Sequence, residues 1–304
     1  MNKNQFCYVN CDLCGKDDSK IIFKNVHDTN LWLPGEFNVV QCKNCGLNYV
    51  NPQLNSELIG EYYPEKYGPY KKENPLILKI KNLIWSREKK TIRELVKPNG
   101  NILEIGCARG DFLNFIGNGY NLYGIEMDEK SVQAASEYDN IKVWRGKFEE
   151  FNFPRDLKFD LIILSFVLEH LPSARAAFEK MASIIAPNSK LLISVPNYDS
   201  WDRVIFGKYW NALDVPRHYF TFTESTMKQY ARDYGFNIIG IKHSAVPNDW
   251  IGGLGRLLGE KVSSKFIKVF NSRNRIFASV FLPLSGLAAL FRKSSRVTFI
   301  LKLK

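Results

Sequence analysis

Asn101-Ile-Leu-Glu-Ile-Gly-Cys-Ala-Arg-Gly-Asp-Phe-Leu113 decides how this 304-residue chain is built. Its aliphatic positions Ile102, Leu103 and Ile105 have the make-up of a strand buried on both faces, as in a parallel sheet. The run ends in Gly106, Ala108 and Gly110, and a helical pattern opens at Asp111. Small residues at a strand-to-helix turn let a ligand come close to the backbone, and the helix start offers unpaired N–H groups. The next aliphatic strand, Leu122-Tyr-Gly-Ile-Glu126, ends in a carboxylate twenty positions beyond Gly106. An acid in that place can accept hydrogen bonds from a ribose diol.

Two nucleoside-binding plans share this layout, and the small residues separate them. A nicotinamide fingerprint, G-x-G-x-x-G, needs glycine at 106, 108 and 111, where the chain has Gly, Ala and Asp. Asp111 would also repel a pyrophosphate. Glu104, Gly106, Ala108 and Gly110 instead spell E-x-G-x-A-x-G. This resembles motif I (E/D-x-G-x-G-x-G) of class I S-adenosylmethionine (SAM) dependent methyltransferases, with Ala108 in place of the central glycine. The bland alternative is an ordinary tight βα turn. The resemblance implies SAM as cofactor, held by Glu104, Gly106, Cys107, Ala108, Gly110, Glu126 and Met127. Gly146-Lys-Phe-Glu149 falls where that family places an acid-bearing loop beside the adenine. Lys147 replaces the frequent Asp, which leaves this contact to backbone N–H groups or Phe148. Phe159-Asp-Leu-Ile-Ile-Leu-Ser165, running into Phe166-Val-Leu-Glu-His170, resembles motif IV of O-methyltransferases of the ubiquinone-biosynthesis type and adds Ser165 to the cofactor set.

Working outward, the helical spacing of Ile77, Ile80, Ile84, Ile92 and Leu95 predicts a helix over 76–96, stopped by Pro98-Asn-Gly100. Asp128 is placed to cap a helix through Tyr138, Ile141–Trp144 a third strand, and Ser173 to cap a helix ending at Pro187. Leu191–Val195 forms a fifth strand, Thr223 caps a helix closed by Gly235, and Phe236–Ile241 with Val297–Leu303 make a terminal antiparallel pair. Alternating strands and helices specify an α/β fold: a doubly wound, Rossmann-like sheet with a final antiparallel strand. Ligands of such sheets bind beyond the carboxyl ends of the strands, where Glu104, Glu126, Ser165 to His170 and Asn197 all fall. The expected division is a zinc-ribbon-like module over 1–50, an aromatic segment and helix over 51–97, and the main domain over 98–304. That domain carries insertions at 198–222 and 246–295.

The module rests on Cys11-Asp-Leu-Cys14-Gly15 and Cys42-Lys-Asn-Cys45-Gly46. Each is a knuckle of two thiolates with a glycine that permits the turn, and four such sulfurs complete a structural Zn²⁺ site. A closed Cys₄ site has no open coordination position, so this metal is not catalytic. Unmetallated core cysteines or a redox dithiol are the alternatives, and Cys7 and His27 are spare candidate ligands. Six cysteines, four of them in knuckles, suit a reducing compartment. With no signal-peptide pattern at the N-terminus, a cytoplasmic setting is expected.

Tyr62-Tyr-Pro-Glu-Lys-Tyr-Gly-Pro-Tyr70 reads either as a lid built on Tyr62, Tyr63 and Tyr67 or as packing between module and main domain. The 198–222 insertion, with Trp201, Tyr209, Trp210 and Asp214-Val-Pro-Arg-His218, sits where acceptor pockets are built. A hydroxyl acceptor benefits from a general base of imidazole pKa. His218 is the favoured base, with Arg217 near an anionic substrate group and His170 second, although a structural role is open for any single histidine. Residues 251–304 hold eleven Lys and Arg against one acid, Glu260, and so carry nearly all of the +11 formal net charge. The uncharged run Ile276–Phe291, interrupted by Pro283 and Gly286, is short of the roughly 20 apolar residues a spanning helix needs. It suits peripheral contact with an anionic membrane at the inner face of the cell membrane, or helices packed on the protein's own core.

Zinc knuckles before such a core resemble sugar C-methyltransferases, which carry a further C-terminal domain that this chain lacks, so their chemistry does not transfer. The resemblances together imply methyl transfer to a hydroxyl of a sugar, glycan or lipid-linked small molecule, as in polysaccharide biosynthesis. An RNA methyltransferase and a catalytically inactive SAM-binding scaffold are the alternatives. Nucleic acid is not the expected partner, because the tail is aliphatic rather than patterned for stacking and 165–170 lacks N/D-P-P-Y/F.

Overall fold

The computed structural model describes residues 6–55, 58–64, 75–262, 269–270 and 275–304. Five short strands come first: β1 (Phe6–Cys7), β2 (Ser19–Val26), β3 (Phe37–Cys42), β4 (Asn48–Val50) and β5 (Gln53–Leu54). Then follow α1 (Pro75–Leu95), β6 (Asn101–Ile105), α2 (Asp111–Ile116), β7 (Asn121–Glu126), α3 (Glu129–Ala135), β8 (Ile141–Arg145) and β9 (Phe159–Ser165). The second half holds α4 (Ala174–Ile184), β10 (Ile185–Pro196), α5 (Trp201–Phe206), β11 (Phe220–Thr221), α6 (Glu224–Asp233) and β12 (Phe236–Ser244). Helices α7 (Pro247–Lys261) and α8 (Arg275–Leu290) precede the last strand, β13 (Arg296–Leu303).

The main sheet has seven strands in the order β12-β13-β10-β9-β6-β7-β8. From β10 to β8 every pair is parallel. β13 is antiparallel to both β10 and β12. The alternation of side chains along a strand explains why β6 and β9 are aliphatic almost throughout. Leu103, Ile105, Ile162 and Leu164 face α4 and α6, where Phe178, Met181 and Tyr230 are buried. Ile102, Leu161 and Ile163 face the other layer with Ile92, Val96 and Leu113. Each of these β6 and β9 side chains, at 2% exposure or less, contributes about 1.5–3 kcal/mol through burial.

The caps follow the sequence. Asp128 accepts from Ser131 N–H, Ser173 from Ala176 N–H, and Thr223 closes a capping box with Thr226. Boundaries differ in two places: α3 stops at Ala135 rather than Tyr138, because Tyr138 turns away to donate its hydroxyl to Asp111 Oδ1 at 2.9 Å, and α4 stops at Ile184 rather than Pro187, with β10 beginning at Ile185 rather than Leu191.

The larger difference concerns the module. β2, β3 and β4 form the expected antiparallel ribbon, but β11 from the 198–222 insertion adds to it, with Phe220 opposite Tyr49 and Thr221 opposite Asn48. Cys11, Leu13, Leu47 and Tyr49 belong to the same core as the main sheet. Asp12, between the first two cysteines, accepts from Ser173 Oγ (2.6 Å), Arg175 N–H (2.9 Å) and Tyr230 O–H (2.7 Å). The ribbon and the main domain are thus one packed body, which a boundary drawn at residue 50 does not convey.

Candidate functional site

The turn after β6 is built for close approach. Gly106 has φ +67°, and a Cβ there would lie 2.6 Å from Val167 Cγ2. Ala108 and Phe166, both non-glycine residues, are also left-handed, at φ 46° and 58°. Such backbone costs about 1–2 kcal/mol per residue and is retained here at the carboxyl edge of the sheet, where ligands of this architecture bind. Glu126 ends β7 and accepts from Ala108 N–H (2.9 Å), Met127 N–H (2.7 Å) and Asp128 N–H (3.0 Å). Its carboxylate therefore lies against the glycine turn, as the spacing predicts.

The remaining cofactor candidates divide. Met127 is exposed beside Glu126, and Ser165 is half-buried at the end of β9. Glu104 is buried beneath the turn, and its Oε2 has no hydrogen-bond partner among the described residues. Burial, reinforced by Glu88 and Glu126, raises its pKa well above the carboxylate range. Cys107 is also buried, its sulfur where a side chain on Gly124 would lie, so only its backbone is presented. Phe148 is 3% exposed and packs on Phe153, a core ring rather than a surface platform. The Glu126 carboxylate beside the glycine turn and the orphan Glu104 oxygen fit a cofactor carrying a ribose and a cationic group.

The four knuckle cysteines converge. Cys11 Sγ lies 3.4 Å from Cys45 Sγ, and Cys14 Sγ lies 3.5 Å from Cys42 Sγ. All four sulfurs fall within 4.8 Å of one another, and none is in a disulfide. A tetrahedral ion with bonds of about 2.3 Å needs sulfurs roughly 3.8 Å apart, which this set approaches. Gly15 and Gly46 are left-handed, and their N–H groups donate to the carbonyls of Cys11 and Cys42. The donor set is compatible with zinc. Cys7 and His27 lie outside it, His27 instead bonding the Gly35 carbonyl.

On the acceptor side, three side chains meet. His170 and His218 pack edge to face with ring centroids 4.5 Å apart. Glu169 joins them, with one ligand atom of each within 4.8 Å of the others. The chain reaches this point because Gly106 leans on Val167, whose carbonyl accepts His170 N–H at 2.9 Å. Tyr219 N–H donates to the Glu169 carbonyl at 2.8 Å, joining the insertion to the same turn. His218 Nδ1 lies 2.8 Å from the Ala212 carbonyl, and His170 Nδ1 lies 3.1 Å from the Arg217 carbonyl. A carbonyl only accepts, so both bonds put the proton on Nδ1 and leave the lone pair on Nε2. Burial holds both imidazoles neutral; with the added effect of His218, His170 falls to about 3. Burial also lifts Glu169 to about 8, and neither of its oxygens has a hydrogen-bond partner among the described residues.

Arg217 lies elsewhere than expected. It is wholly buried, bidentate to Asp28 (2.6 and 3.0 Å), bonded to Asp214 (2.6 Å), and donates to the Tyr62 carbonyl. These ion pairs pin the insertion to the ribbon, so its charge is spent on Asp28 and Asp214 rather than turned toward an anionic substrate. The aromatic segment divides likewise. Tyr62 is buried against Phe37 and donates to the Pro34 carbonyl, the packing alternative. Tyr63 reaches the histidine pair, its hydroxyl 3.0 Å from His170 Nδ1. Tyr67 lies outside the described residues. Glu169, adjacent to a residue already singled out, and Asp28 were not apparent from sequence; the only signal for Glu169 was its place in the segment that ends β9.

A mixed seven-stranded sheet reversed at β13, with the Glu126 carboxylate against the turn that follows β6, defines the Rossmann-like methyltransferase fold. Residues 80–241 match the family model described as a methyltransferase domain, and the chain belongs to that family. Over 150 residues it is 29% identical to a protein of Staphylococcus carnosus (strain TM300) described as an uncharacterized methyltransferase, covering 46% of this chain and 71% of that one. Over 102 residues it is 26% identical to a protein of Invertebrate iridescent virus 6 named as candidate methyltransferase 235L, covering 32% and 38% respectively. Among solved structures, a Galdieria sulphuraria protein named as a candidate sarcosine dimethylglycine methyltransferase superposes with a TM-score of 0.52. It is 14% identical and covers 81% of this chain and 96% of that one, a likeness of fold. Family and fold support SAM as the methyl donor.

Proposed function

We propose that this methyltransferase moves a methyl group from SAM to a hydroxyl of a sugar, glycan or lipid-linked small molecule. The observation that carries the reading is the contact between Gly106 and Val167, which sets the cofactor cradle directly against the turn bearing Glu169 and His170. When bound, SAM supplies an electrophilic methyl group. The chain's own part is to grip the ribose through Glu126, to meet the adenine side with Met127, and to hold the acceptor oxygen in line. Neutral His218, with its Nε2 lone pair, takes the hydroxyl proton, and His170 is the second candidate. The resemblance of 159–170 to O-methyltransferases of the ubiquinone-biosynthesis type supports a hydroxyl acceptor.

Labelled-methyl transfer into fractionated cell extract tests the acceptor. Label is expected in the glycan or lipid fraction; label confined to RNA, or none anywhere, refutes the reading. His218→Ala is expected to lower turnover by about 10²- to 10⁴-fold with SAM affinity unchanged. Near-normal turnover in both His218→Ala and His170→Ala would leave alignment alone as the source of rate.

The partner surface in this reading is an anionic lipid bilayer. Helix α8 is mostly apolar: Ser285 and Ala288 are buried, yet Ile276, Val280, Leu282, Leu287 and Leu290, with Phe291 just beyond its end, are exposed. Leu290 is 76% exposed. Among the described residues no helix is long and apolar enough to cross a membrane. Arg256, Arg292 and Arg296 are engaged by Asn30, Glu224 and Asp249, and the other lysines and arginines of residues 251–304 supply charge that complements anionic headgroups; Phe291 packs on Trp201 of α5, which follows the carboxyl edge of β10. An acceptor tethered to lipid would then be held at the cytoplasmic face near the transfer site. Flotation with anionic vesicles at low salt is expected to carry the protein, and Leu287→Asp with Leu290→Asp to leave it behind. Absence of binding, or a dimer formed through α8 instead, defeats this part of the reading.

A further inference from the structure

We infer that Glu169, His170 and His218 form a binding site for a divalent transition-metal cation, distinct from the cysteine cluster. The three side chains supply two imidazoles and one carboxylate, with a ligand atom of each within 4.8 Å of the other two. Two features separate this group from a chance gathering of polar residues.

The first is Glu169. It is fully buried, and both of its oxygens lack a hydrogen-bond partner among the described residues. A buried carboxyl group in that condition calls for an ion or a proton to satisfy it. Arg296, whose charge also acts on Glu169, is committed to Asp249 at 2.8 Å, and Arg217 to Asp28 and Asp214.

The second is the way the imidazoles are held. Each has Nδ1 bonded to a backbone carbonyl, Ala212 for His218 and Arg217 for His170. That arrangement fixes the tautomer, orients the ring and leaves a basic Nε2, as the outer partners of metal-bound histidines do. The Tyr63 hydroxyl oxygen, 3.0 Å from His170 Nδ1, accepts a share of the same N–H. Asp214 Oδ2, 3.8 Å from His218 Nε2, stays tied to Arg217. Two histidines and one carboxylate leave coordination positions open, and the donor set suits Zn²⁺, Co²⁺ or Fe²⁺ rather than Mg²⁺. His170 is half-buried while Glu169 and His218 are buried, so the open side is the His170 side.

The catalytic consequence rests on the methyl-transfer reading; the occupancy of the site does not. With the cation bound, His218 and His170 are ligands instead of bases. The acceptor hydroxyl coordinates at an open position and loses its proton to solvent water. Its oxygen then forms the new O–C bond as the S–C bond of the donor breaks and the sulfur keeps the electron pair.

The test counts metal on the full chain. Protein carrying its zinc is dialysed against a weak chelator, titrated with Co²⁺, and analysed by mass spectrometry and absorption. The expected result is one tightly held zinc plus one equivalent of Co²⁺. That Co²⁺ should show weak visible bands without the near-ultraviolet charge-transfer absorption of thiolate ligands. Glu169→Gln, which preserves shape, and His218→Ala should each weaken Co²⁺ binding by about 10- to 100-fold and keep the zinc. No second equivalent in the wild type, or one that survives both substitutions, overturns the proposal. Two further outcomes keep it separate from the methyl-transfer reading. Co²⁺ bound at this site in a protein that methylates nothing upholds the metal site and sinks that reading. Methyl transfer that depends on His218 with no second equivalent does the reverse.

Discussion

Replacing Glu126 with alanine is expected to abolish measurable SAM binding while the chain stays folded. The carboxylate sits at 8% exposure and already accepts three backbone N–H groups, from Ala108, Met127 and Asp128. A ribose diol would add hydrogen bonds to a charged acceptor, each of about 1.5–3 kcal/mol. Two of them amount to a weakening of roughly 10²- to 10⁴-fold. The same change releases the amides that shape the turn around Ala108, which adds to the loss. Titration calorimetry checks it, with a melting curve to show that the fold persists. SAM affinity within about threefold of wild type in Glu126→Ala would remove the ribose contact from the account.

The other large effect belongs to Arg217. Arg217→Met is expected to lower stability by about 3–5 kcal/mol, because Asp28 and Asp214 would remain buried without their counter-charge. In a chain of this size that is roughly a 10 °C fall in melting temperature. Arg217→Lys should recover only part of it, since an ammonium cannot make the paired bonds to Asp28. Combining Arg217→Met with Asp28→Asn should cost less than the sum of the two changes. SAM affinity should stay put throughout. A variant of normal stability whose acceptor KM rises would instead restore Arg217 to the substrate, as sequence position alone suggests.

Those two residues mark what the sequence does and does not disclose. Glu126 is legible because its partner, the turn at 106–110, lies one βα unit away, and the rise of a strand and the length of a helix fix the spacing. Arg217 is not, because Asp28 stands 189 positions upstream and no local periodicity links them. The histidine pair is intermediate. The segments of His170 and His218 each point, on their own, to the acceptor side. Their contact, and the role of Glu169 between them, depends on a turn at 165–170 meeting a loop 47 residues later. The ribbon's fourth strand was hidden for a plainer reason: β11 is two residues long, too short to show alternation.

That two-residue strand has a consequence for how the molecule is made. The cysteine knuckles leave the ribosome first, yet the sheet that braces them gains its last member only when Phe220 and Thr221 emerge. Synthesis runs 175 positions beyond Cys45 to reach Phe220. Completion of the amino-terminal ribbon and docking of the insertion that carries His218 are then a single late event. A nascent chain halted before residue 220 would hold neither in finished form.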